Sequence, residues 1–451
     1  MNRSTYKKRL AGAASQMPPD SAMLLIASEE KVRNANIMYS YRAHSDLIYL
    51  TGFNAPCFAL FLDSSGEIQI FFTPRNDEKA RWEGEGLTSQ AIANVLEIDK
   101  EKQIHPYENL WETLKKLLKN KETLYFSFGE SQENDQKVIN AIKETTIEAK
   151  KGDFAPTRLV YAKEILQEMR LIKKPEEIAI LKKAAQISAE AHNRLMQYCR
   201  EKISEGSLYE YEIKAFIEWQ FQKSYQTEIA YPTIAAAGNN ATILHYTDLS
   251  SAVRKDDLAL VDAGCEIAGY ASDITRTFPV SGKFTPVQKS VYEVVLAANK
   301  NAIFKCVSGE NLDSVHSEAV KTIVDGLLEL GLFKKFLVKK DGKSEIKSSY
   351  DKNEIIENEY YRVYYMHNTS HFLGLDVHDS ATRYINHKPR MLEQGMVFTI
   401  EPGIYLPKEY DFLPNEFKGI GIRIEDDILF DGRKGENLSI KALKEISELE
   451  S

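Results

Sequence analysis

Two aspartates flank a predicted turn in the sequence LALVDAGCEIAGYASDITRTF. Asp262 ends an apolar strand pattern, and Asp273 lies on the returning strand. Because both are equally distant from a turn predicted at Ile267 and Ala268, an antiparallel hairpin would set the two carboxylates opposite one another, with Cβ atoms about 4.5–5.5 Å apart. Like charges repel at that distance, so the pair predicts a bound cation. The alternative is that either aspartate faces solvent or caps a turn.

Three of the nine histidines fall within the short sequence MHNTSHFLGLDVHD. They are His367, His371 and His378. A neutral imidazole is a good metal ligand and also a proton carrier near pH 7. A lone histidine is more often an ordinary core or surface residue, so the cluster favours chemistry only when further ligands accompany it.

Two glutamates end or interrupt strand patterns farther along the chain. Glu401 follows the apolar run of MVFTIEPGIY, and Glu425 lies in GIGIRIEDDILF. The two-residue period of a strand puts Arg423 and Glu425 on one face, with Ile422 and Ile424 on the other. An inward-facing carboxylate needs a partner, and the alternative to a metal is a polar face in which Arg423 alone pairs with Glu425.

Together these residues predict a dinuclear metal site. Asp262, Asp273, Glu401 and Glu425 supply four negative charges and His371 a neutral nitrogen, which would balance two divalent cations. Two ions about 3.5–4 Å apart can hold a hydroxide between them and polarise a scissile carbonyl. A carboxylate-rich ligand set favours Mn²⁺, with Zn²⁺ and Co²⁺ as alternatives that bind as tightly by the Irving–Williams order.

The elements that position these residues belong to an ordinary globular protein. The 451 residues are 43% apolar and 27% charged, with a mean hydropathy of −0.38, which suits two or three domains and excludes wholesale disorder. No apolar run approaches the roughly 18 residues needed to cross a bilayer. The basic N-terminus lacks the apolar stretch of a secretory signal. We therefore expect no membrane association.

The spacing of the cysteines bears on where the protein is located, and the net charge bears on which partners it binds. Cys57, Cys199, Cys265 and Cys306 form no C-x-x-C pair, which predicts neither a disulfide framework nor a zinc knuckle and indicates a reducing, cytoplasmic location. The net charge is −8, from 58 basic and 66 acidic residues. Without a long basic block, nucleic acid is not an expected partner.

The first third of the chain alternates strand and helix patterns and predicts an α/β domain. Two apolar runs joined by residues 63–66 indicate a β-hairpin. We place the domain boundary near residue 172, giving domains 1–172 and 173–451. Pro175, followed by apolar residues at intervals of three and four, predicts a long amphipathic helix.

The second domain shows a weak internal duplication, in which two helix patterns precede strand patterns in each half. In the second half, Thr285 and Gln288 form a capping box, and Asp313 is predicted to cap a helix that stops at Gly331. The duplication predicts a pseudo-twofold domain. The charged stretch 338–361 between the halves is predicted to be a solvated insertion.

These motifs resemble those of the Xaa-Pro aminopeptidases (aminopeptidase P) in the pita-bread metallopeptidase family M24, over essentially the whole chain. The resemblance implies an N-terminal α/β domain followed by a pseudo-twofold α+β pita-bread (creatinase/aminopeptidase) catalytic domain. It also implies a metal-dependent exopeptidase that releases the N-terminal residue from peptides with proline at the second position, by attack of a metal-bridging hydroxide. The implied metal ligands are Asp262, Asp273, His371, Glu401 and Glu425.

The resemblance assigns further roles within the site. His245 in ILHYTD, His367 and His378 would hold the substrate and stabilise the developing oxyanion. Glu401 would double as the proton shuttle to the proline nitrogen. Tyr405 and Arg423 would shape the substrate pocket.

Two departures from the family pattern touch the pocket rim. Asn368 stands where glycine is common, and residues 380–382 differ from the Val-Gly of many relatives. Neither removes a ligand or a catalytic histidine, but both bear on substrate preference.

The N-terminal domain separates the alternatives within the family. Methionine aminopeptidases normally lack it, whereas prolidases carry one, so an Xaa-Pro dipeptidase is the nearest competitor. The segments around Asp46 and Trp82 resemble their aminopeptidase P counterparts, which approach the active site, often that of a neighbouring protomer. The resemblance therefore implies a homodimer or homotetramer. A metal-free creatinase-like hydrolase or a non-catalytic peptide-binding protein is the remaining alternative, although such relatives have lost several ligands.

Overall fold

The computed structural model describes residues 3–150, 152–224, 227–340, 343–349 and 351–451. The chain divides into two compact units, Met1–Arg170 and Leu171–Ser451. Each unit has its own cluster of buried apolar side chains, which includes Leu24 and Phe71 in the first and Ile217 and Leu260 in the second.

A six-stranded mixed sheet forms the centre of the first unit. The strands of this unit are β1 (Ser21–Ile26), β2 (Val32–Asn34), β3 (Ile37–Met38), β4 (Phe58–Asp63), β5 (Ile68–Phe72), β6 (Ile104–His105), β7 (Thr123–Phe126) and β8 (Arg158–Val160). The sheet order is β6-β5-β4-β1-β7-β8, and β2 and β3 pair separately. The predicted hairpin is confirmed as β4 and β5. Its turn is held by the Asp63 carboxylate, which accepts from the N–H groups of Ser65 and Glu67.

The helices of the first unit are α1 (Arg3–Gln16), α2 (Ser45–Thr51), α3 (Asp77–Glu83), α4 (Ser89–Leu96), α5 (Lys100–Gln103), α6 (Leu110–Leu117), α7 (Gln132–Glu148) and α8 (Lys163–Leu171). Helix α2 carries one residue of a buried ion pair. Asp46 is fully buried, and Arg170 donates to its Oδ1 at 2.7 Å. The Asp46 carboxylate is therefore engaged inside its own unit.

The long helix of the second unit begins where the sequence predicts. The helices are α9 (Pro175–Glu205), α10 (Glu210–Gln222), α11 (Pro286–Lys305), α12 (Leu312–Glu329), α13 (Lys352–Glu357) and α14 (Ile446–Leu449). Pro175 occupies the first position of α9, and Glu177 accepts from the N–H of Lys174 at 2.9 Å. The predicted apolar face is buried at Leu181, Ala185 and Leu195.

One predicted helix cap is confirmed and one is wrong. Thr285 and Gln288 form reciprocal hydrogen bonds at the start of α11. Helix α12 is capped by Asn311, whose side-chain oxygen accepts from the N–H of Asp313 and of Ser314. Asp313 is thus inside the first turn, because the extended residue that precedes the helix lies two positions earlier than predicted.

Small antiparallel sheets make up the rest of the second unit. The strands are β9 (Thr227–Ile229), β10 (Ile234–Ala237), β11 (Leu258–Asp262), β12 (Cys265–Ile267), β13 (Tyr270–Ala271), β14 (Thr275–Pro279), β15 (Phe336–Lys340), β16 (Lys343–Lys347), β17 (Tyr384–Ile385), β18 (Lys388–Pro389), β19 (Val397–Ile400), β20 (Gly403–Leu406), β21 (Ile420–Arg423), β22 (Asp426–Phe430) and β23 (Gly435–Asn437). Sheets β10-β11-β14 and β13-β12-β9 follow helices α9 and α10, and sheets β19-β22-β23 and β20-β21 follow α11 and α12. Helices thus precede strands in both halves, as the predicted duplication requires.

The stretch 338–361 is more than a solvated insertion. It contributes to the hairpin of β15 and β16 and contains helix α13. Ile355 is fully buried in the main core, so the helix docks by an apolar contact that the charged composition concealed. Residues 341, 342 and 350 of this stretch lie outside the described residues.

Within the described part of the chain, no helix combines the length and the apolar character that crossing a membrane requires.

Candidate active site

The hairpin that carries two predicted ligands has a different register from the predicted one. Ala268 and Gly269 form its turn, with φ of 50° and 83°, the positive values that a two-residue type I′ turn needs. Asp262 consequently pairs with Thr275 rather than with Asp273. The prediction placed the turn one residue too early. This moved the pairing by two residues, so both aspartates remain on one face of the hairpin.

A tyrosine joins the two aspartates. The hydroxyl of Tyr231 lies 2.7 Å from Asp262 Oδ1 and 2.5 Å from Asp273 Oδ1. Burial, then the neighbouring carboxylates, raise the pKa of Tyr231 well above its ordinary value, so the hydroxyl remains a donor. Tyr231 is not among the residues predicted from the sequence, because it lies alone between β9 and β10 and no spacing links it to either aspartate.

Glycine permits the close approach of the two hairpin strands beside Asp273. A Cβ placed on Gly264 would lie 1.8 Å from the backbone oxygen of Ser272. No side chain fits at that separation, so the position next to the ligand must be glycine.

Backbone hydrogen bonds connect the segments that carry the other predicted ligands. The N–H of Glu401 donates at 2.8 Å to the carbonyl oxygen of Thr369, which lies two residues before His371. The N–H of Glu425 donates to Thr275 O at 3.1 Å, which attaches it to strand β14 of the hairpin. Residues far apart in sequence thereby meet at one place.

Three of the other four predicted ligands lie around the imidazole of His371. Its Nε2 lies 3.4 Å from Asp273 Oδ2, 3.6 Å from Glu401 Oε1 and 4.0 Å from Glu425 Oε1. Ligand atoms of Asp273, His371 and Glu425 all lie within 4.8 Å of one another, a spacing that suits a shared metal ion.

The charges of this cluster fit bound cations. Burial and the surrounding carboxylates raise the pKa of Glu425 well above its ordinary value, and burial raises that of Glu401 to about 7. Burial also raises the pKa of Asp262, although Arg423 opposes it. Such shifts mean that negative charge is in excess, and divalent cations would neutralise it. Oxygen-rich donors with one imidazole are a ligand set that Mn²⁺, Zn²⁺ and Co²⁺ accept.

In the absence of metal, a protonated His371 balances part of the negative charge of the surrounding carboxylates. Burial alone would lower its pKa, but the hydrogen bond to Asp273 and the charge of Glu401 raise it to about 9. The same contact lowers the pKa of Asp273 against the effect of burial. A metal ion would take the place of that proton, because a ligating histidine must be neutral.

Arg423 contacts Asp262 rather than Glu425. Its Nη2 donates to Asp262 Oδ2 at 2.5 Å and its Nε to Thr275 Oγ1 at 3.1 Å. The Thr275 hydroxyl donates in turn to Glu425 Oε2 at 2.7 Å. The alternative in which Arg423 alone pairs with Glu425 is therefore wrong, and a threonine links the two.

A second chain of hydrogen bonds runs from Arg423 to His367. Arg423 Nη1 donates to the hydroxyl of Tyr405 at 3.0 Å, and that hydroxyl lies 2.8 Å from His367 Nε2. His367 Nδ1 lies 2.8 Å from the carbonyl of Asn368, to which it donates. Burial, then Arg423, lower the pKa of His367 to about 3, which keeps this imidazole neutral. Tyr405 itself is fully buried behind His367.

The predicted site residues line one cavity of about 340 Å³ in the second unit. The rings of His371 and His378 are neighbours in its wall, with centroids 4.1 Å apart and ring planes tilted by 34°. Of the predicted site residues, only Tyr405 is set back from the wall. The lining consists of Leu244, His245, Asp262, Asp273, His367, Asn368, Ser370, His371, His378, Glu401, Arg423 and Glu425.

Comparisons with known proteins show the family to which this chain belongs. Residues 179–431 match the model of metallopeptidase family M24, and residues 6–125 match that of the aminopeptidase P N-terminal domain. The Xaa-Pro aminopeptidase of Escherichia coli is 36% identical over 455 residues, which span 100% of this chain and 98% of that protein. This chain belongs to the Xaa-Pro aminopeptidases of family M24.

Solved structures show the same fold for this M24 member. Pseudomonas aeruginosa aminopeptidase PepP superposes with a TM-score of 0.91 at 34% identity, covering 100% of this chain and 97% of that one. Zinc-substituted E. coli aminopeptidase P, solved in complex with product, gives a TM-score of 0.89 at 35% identity, covering 100% and 98%. The expected pita-bread architecture behind an N-terminal α/β domain is thereby confirmed.

Proposed function

We propose that this protein is an Xaa-Pro aminopeptidase, which releases the N-terminal residue from peptides whose second residue is proline. The observation that carries the proposal is the convergence of four carboxylates, four histidines and Arg423 on one cavity. The proline preference follows from chemistry, because an Xaa-Pro bond has no N–H to anchor and a pocket must hold the pyrrolidine ring instead.

The proposal includes two divalent metal ions, with Mn²⁺ as the ion bound. Asp262, Asp273, His371, Glu401 and Glu425 would hold them, in agreement with the surplus of negative charge around His371. Divalent ions there supply a more acidic water and polarise the scissile carbonyl. Zinc is the competing metal, since a related enzyme accepts zinc.

The remaining groups of the cavity move a proton and hold the substrate. Glu401 is the proposed proton carrier, and its Oε2 lies 3.7 Å from His367 Nδ1. A neutral His367, held by its hydrogen bonds to Tyr405 and Asn368, lies on the cavity wall, where its ring can contact the peptide. His245 and His378 lie on the same cavity wall and are proposed to bind the substrate and the developing oxyanion.

Replacement of Tyr231 tests the metal proposal without removing a ligand. The variant Tyr231→Phe loses the hydroxyl shared by Asp262 and Asp273, and partners of this kind are typically worth about 10–100-fold in metal affinity. We expect Mn²⁺ affinity, measured by isothermal titration calorimetry, to fall by that factor. An unchanged affinity would mean that the hydroxyl does not orient the carboxylates. Tyr198→Phe, on α9, serves as the control.

A peptide series tests the proposed specificity. With added Mn²⁺, an Xaa-Pro-Yaa peptide should be cleaved faster than the matching Xaa-Pro dipeptide. His367→Ala should lower kcat/KM by about 10²-fold while bound metal, measured by mass spectrometry, stays unchanged. Cleavage of dipeptides alone would establish a prolidase instead. Release of N-terminal methionine whatever follows it would exclude both.

We also propose that the protein is a homodimer or homotetramer. Trp82 is 84% exposed on α3 and is available to a partner, whereas the Asp46 carboxylate is engaged with Arg170 and offers no such contact. Light scattering should therefore give a multiple of the 51.3 kDa chain, and Trp82→Ala should weaken the assembly. A monomer mass at every concentration would refute this.

Two further assignments stay proposals. Residues 1–172 are proposed as the N-terminal domain and 173–451 as the catalytic domain, which limited proteolysis near residue 172 would test. The cytoplasmic location rests on the scattered cysteines, and cell fractionation would test it.

A further inference from the structure

Glu210 is a buried carboxylate whose hydrogen bonds go to one segment of the catalytic unit. It is fully buried at the start of α10. Its Oε1 accepts from Ala237 N at 2.8 Å and Asn240 Nδ2 at 3.0 Å. Its Oε2 accepts from the hydroxyl of Tyr246 at 2.8 Å and from Ser251 N at 3.2 Å. Three of these donors belong to residues 238–252, which we call the His245 loop, and the fourth immediately precedes it.

A carboxylate has about four acceptor sites, so these donors use the whole capacity of Glu210. A charge removed from water must be compensated by such bonds, and losing them would leave it buried and unsatisfied. The N-terminal end of α10 also favours a negative charge. The four hydrogen bonds therefore have two effects. They stabilise the buried carboxylate of Glu210, and they hold the His245 loop in one position.

The His245 loop needs an external support because little of it is regular. Residues 246–250 belong to neither helix nor strand, and His245 itself is exposed. The neighbouring residue Tyr246 is only 7% exposed, and its hydroxyl reaches Glu210. Asn240 Nδ2 lies 3.0 Å both from that hydroxyl and from Ser251 Oγ, which ties the two ends of the loop together.

We propose that Glu210 is a positioning residue that holds His245 in the cavity by anchoring Tyr246 and the ends of its loop. The inference rests on the proposed function, in which His245 contacts the substrate. A small displacement of a catalytic group can lower activity by about 10²-fold even when the change lies away from the chemistry. Glu210 does not line the cavity, so its effect must pass through the loop.

A double-mutant cycle tests this. Glu210→Gln keeps the shape of the side chain but presents an N–H group to donors that need an acceptor. We expect kcat/KM for an Xaa-Pro-Yaa peptide to fall by about 10–100-fold, with bound metal unchanged. In a His245→Ala background, the same substitution should cause no further loss, since the residue that it positions is gone. Equal losses in both backgrounds, or no loss in the first, would overturn the proposal.

Matched variants separate this result from general destabilisation. Glu212→Gln alters the same turn of α10, where Glu212 accepts from Tyr209 N at 2.8 Å, but it leaves the loop contacts intact and should retain activity. If Glu210→Gln does not fold, Tyr246→Phe enters the same cycle, because it removes one of the four bonds. Wild-type enzyme that fails to cleave the peptide would refute the proposed function, which is a separate outcome from a negative cycle.

Discussion

Asp273→Ala and Glu425→Ala are each expected to abolish peptidase activity, lowering kcat/KM by more than about 10³-fold, since the metal ions contribute several kcal/mol to catalysis. Both residues are buried beside His371. Either change removes a proposed ligand and leaves the remaining donors without the geometry to hold two ions. Steady-state kinetics with an Xaa-Pro-Yaa peptide and metal content by mass spectrometry measure both consequences.

Chelation provides the complementary measurement. Wild-type protein stripped of metal should have no peptidase activity, and added Mn²⁺ should restore that activity. Circular dichroism spectra like that of the wild type would show that the variants are folded. Glu436→Ala, which removes a surface carboxylate of the same unit, should retain activity. Full activity in Asp273→Ala, in Glu425→Ala or in metal-free wild type would reject the metal site.

The largest expected change in stability is at Asp426. It is fully buried, and its carboxylate accepts from Arg276 Nη2 at 2.7 Å and Lys444 Nζ at 2.6 Å. Burial would raise its pKa, but these two cations hold the pKa well below the ordinary range. Asp426→Ala would leave both cations buried without their partner, which typically costs about 3–5 kcal/mol of unfolding free energy. Urea denaturation with metal-free protein measures the loss.

An exposed ion pair in the same sheet serves as the comparison. Glu436 on β23 pairs with Lys182 at 2.7 Å, but both side chains are more than 40% exposed. Such pairs contribute about 0–1 kcal/mol, so Glu436→Ala should leave the urea midpoint nearly unchanged. Similar midpoints for Asp426→Ala and Glu436→Ala would contradict the assignment of Asp426 as a structural charge.

The depressed pKa also fixes the sign of the pH dependence. A carboxyl group whose folded pKa lies below its unfolded value near 3.9 stabilises the fold above that pH, and the contribution disappears as the pH falls through the folded pKa. Acidification below about pH 4 should therefore narrow the difference in unfolding free energy between wild type and Asp426→Ala.

The sequence patterns predicted correctly which residues come together at the site, but they predicted the strand pairing of those residues less well. The two aspartates were expected to be opposite one another, yet Asp262 pairs with Thr275 because Gly269 allows the turn to form one residue later. Their common face was still correct, since the side-chain period of a strand is two and the error in pairing was also two. Strand periodicity therefore tolerates such an error when it predicts faces but not when it predicts partners.

Contacts between residues that are far apart in the sequence could not be predicted, because they leave no periodic pattern along the chain. Tyr231 meets Asp273 across 42 residues, and Glu210 meets Tyr246 across 36. Neither pair shares a helix turn or a strand period. Helix starts such as Pro175 were predictable because their signals are local, whereas the groups that orient the ligands are selected by the packing of separate elements.

The glycine beside Asp273 has a consequence for how this sequence can vary. Even alanine at position 264 would collide with the backbone of Ser272, and relief of the collision would shift the next residue, which is a proposed ligand. In a saturation mutagenesis survey, we therefore expect position 264 to tolerate substitution as poorly as the positions of the charged residues around it. A position with no functional group would then rank among the most restrictive in the gene, because the reaction depends on the space that it leaves open.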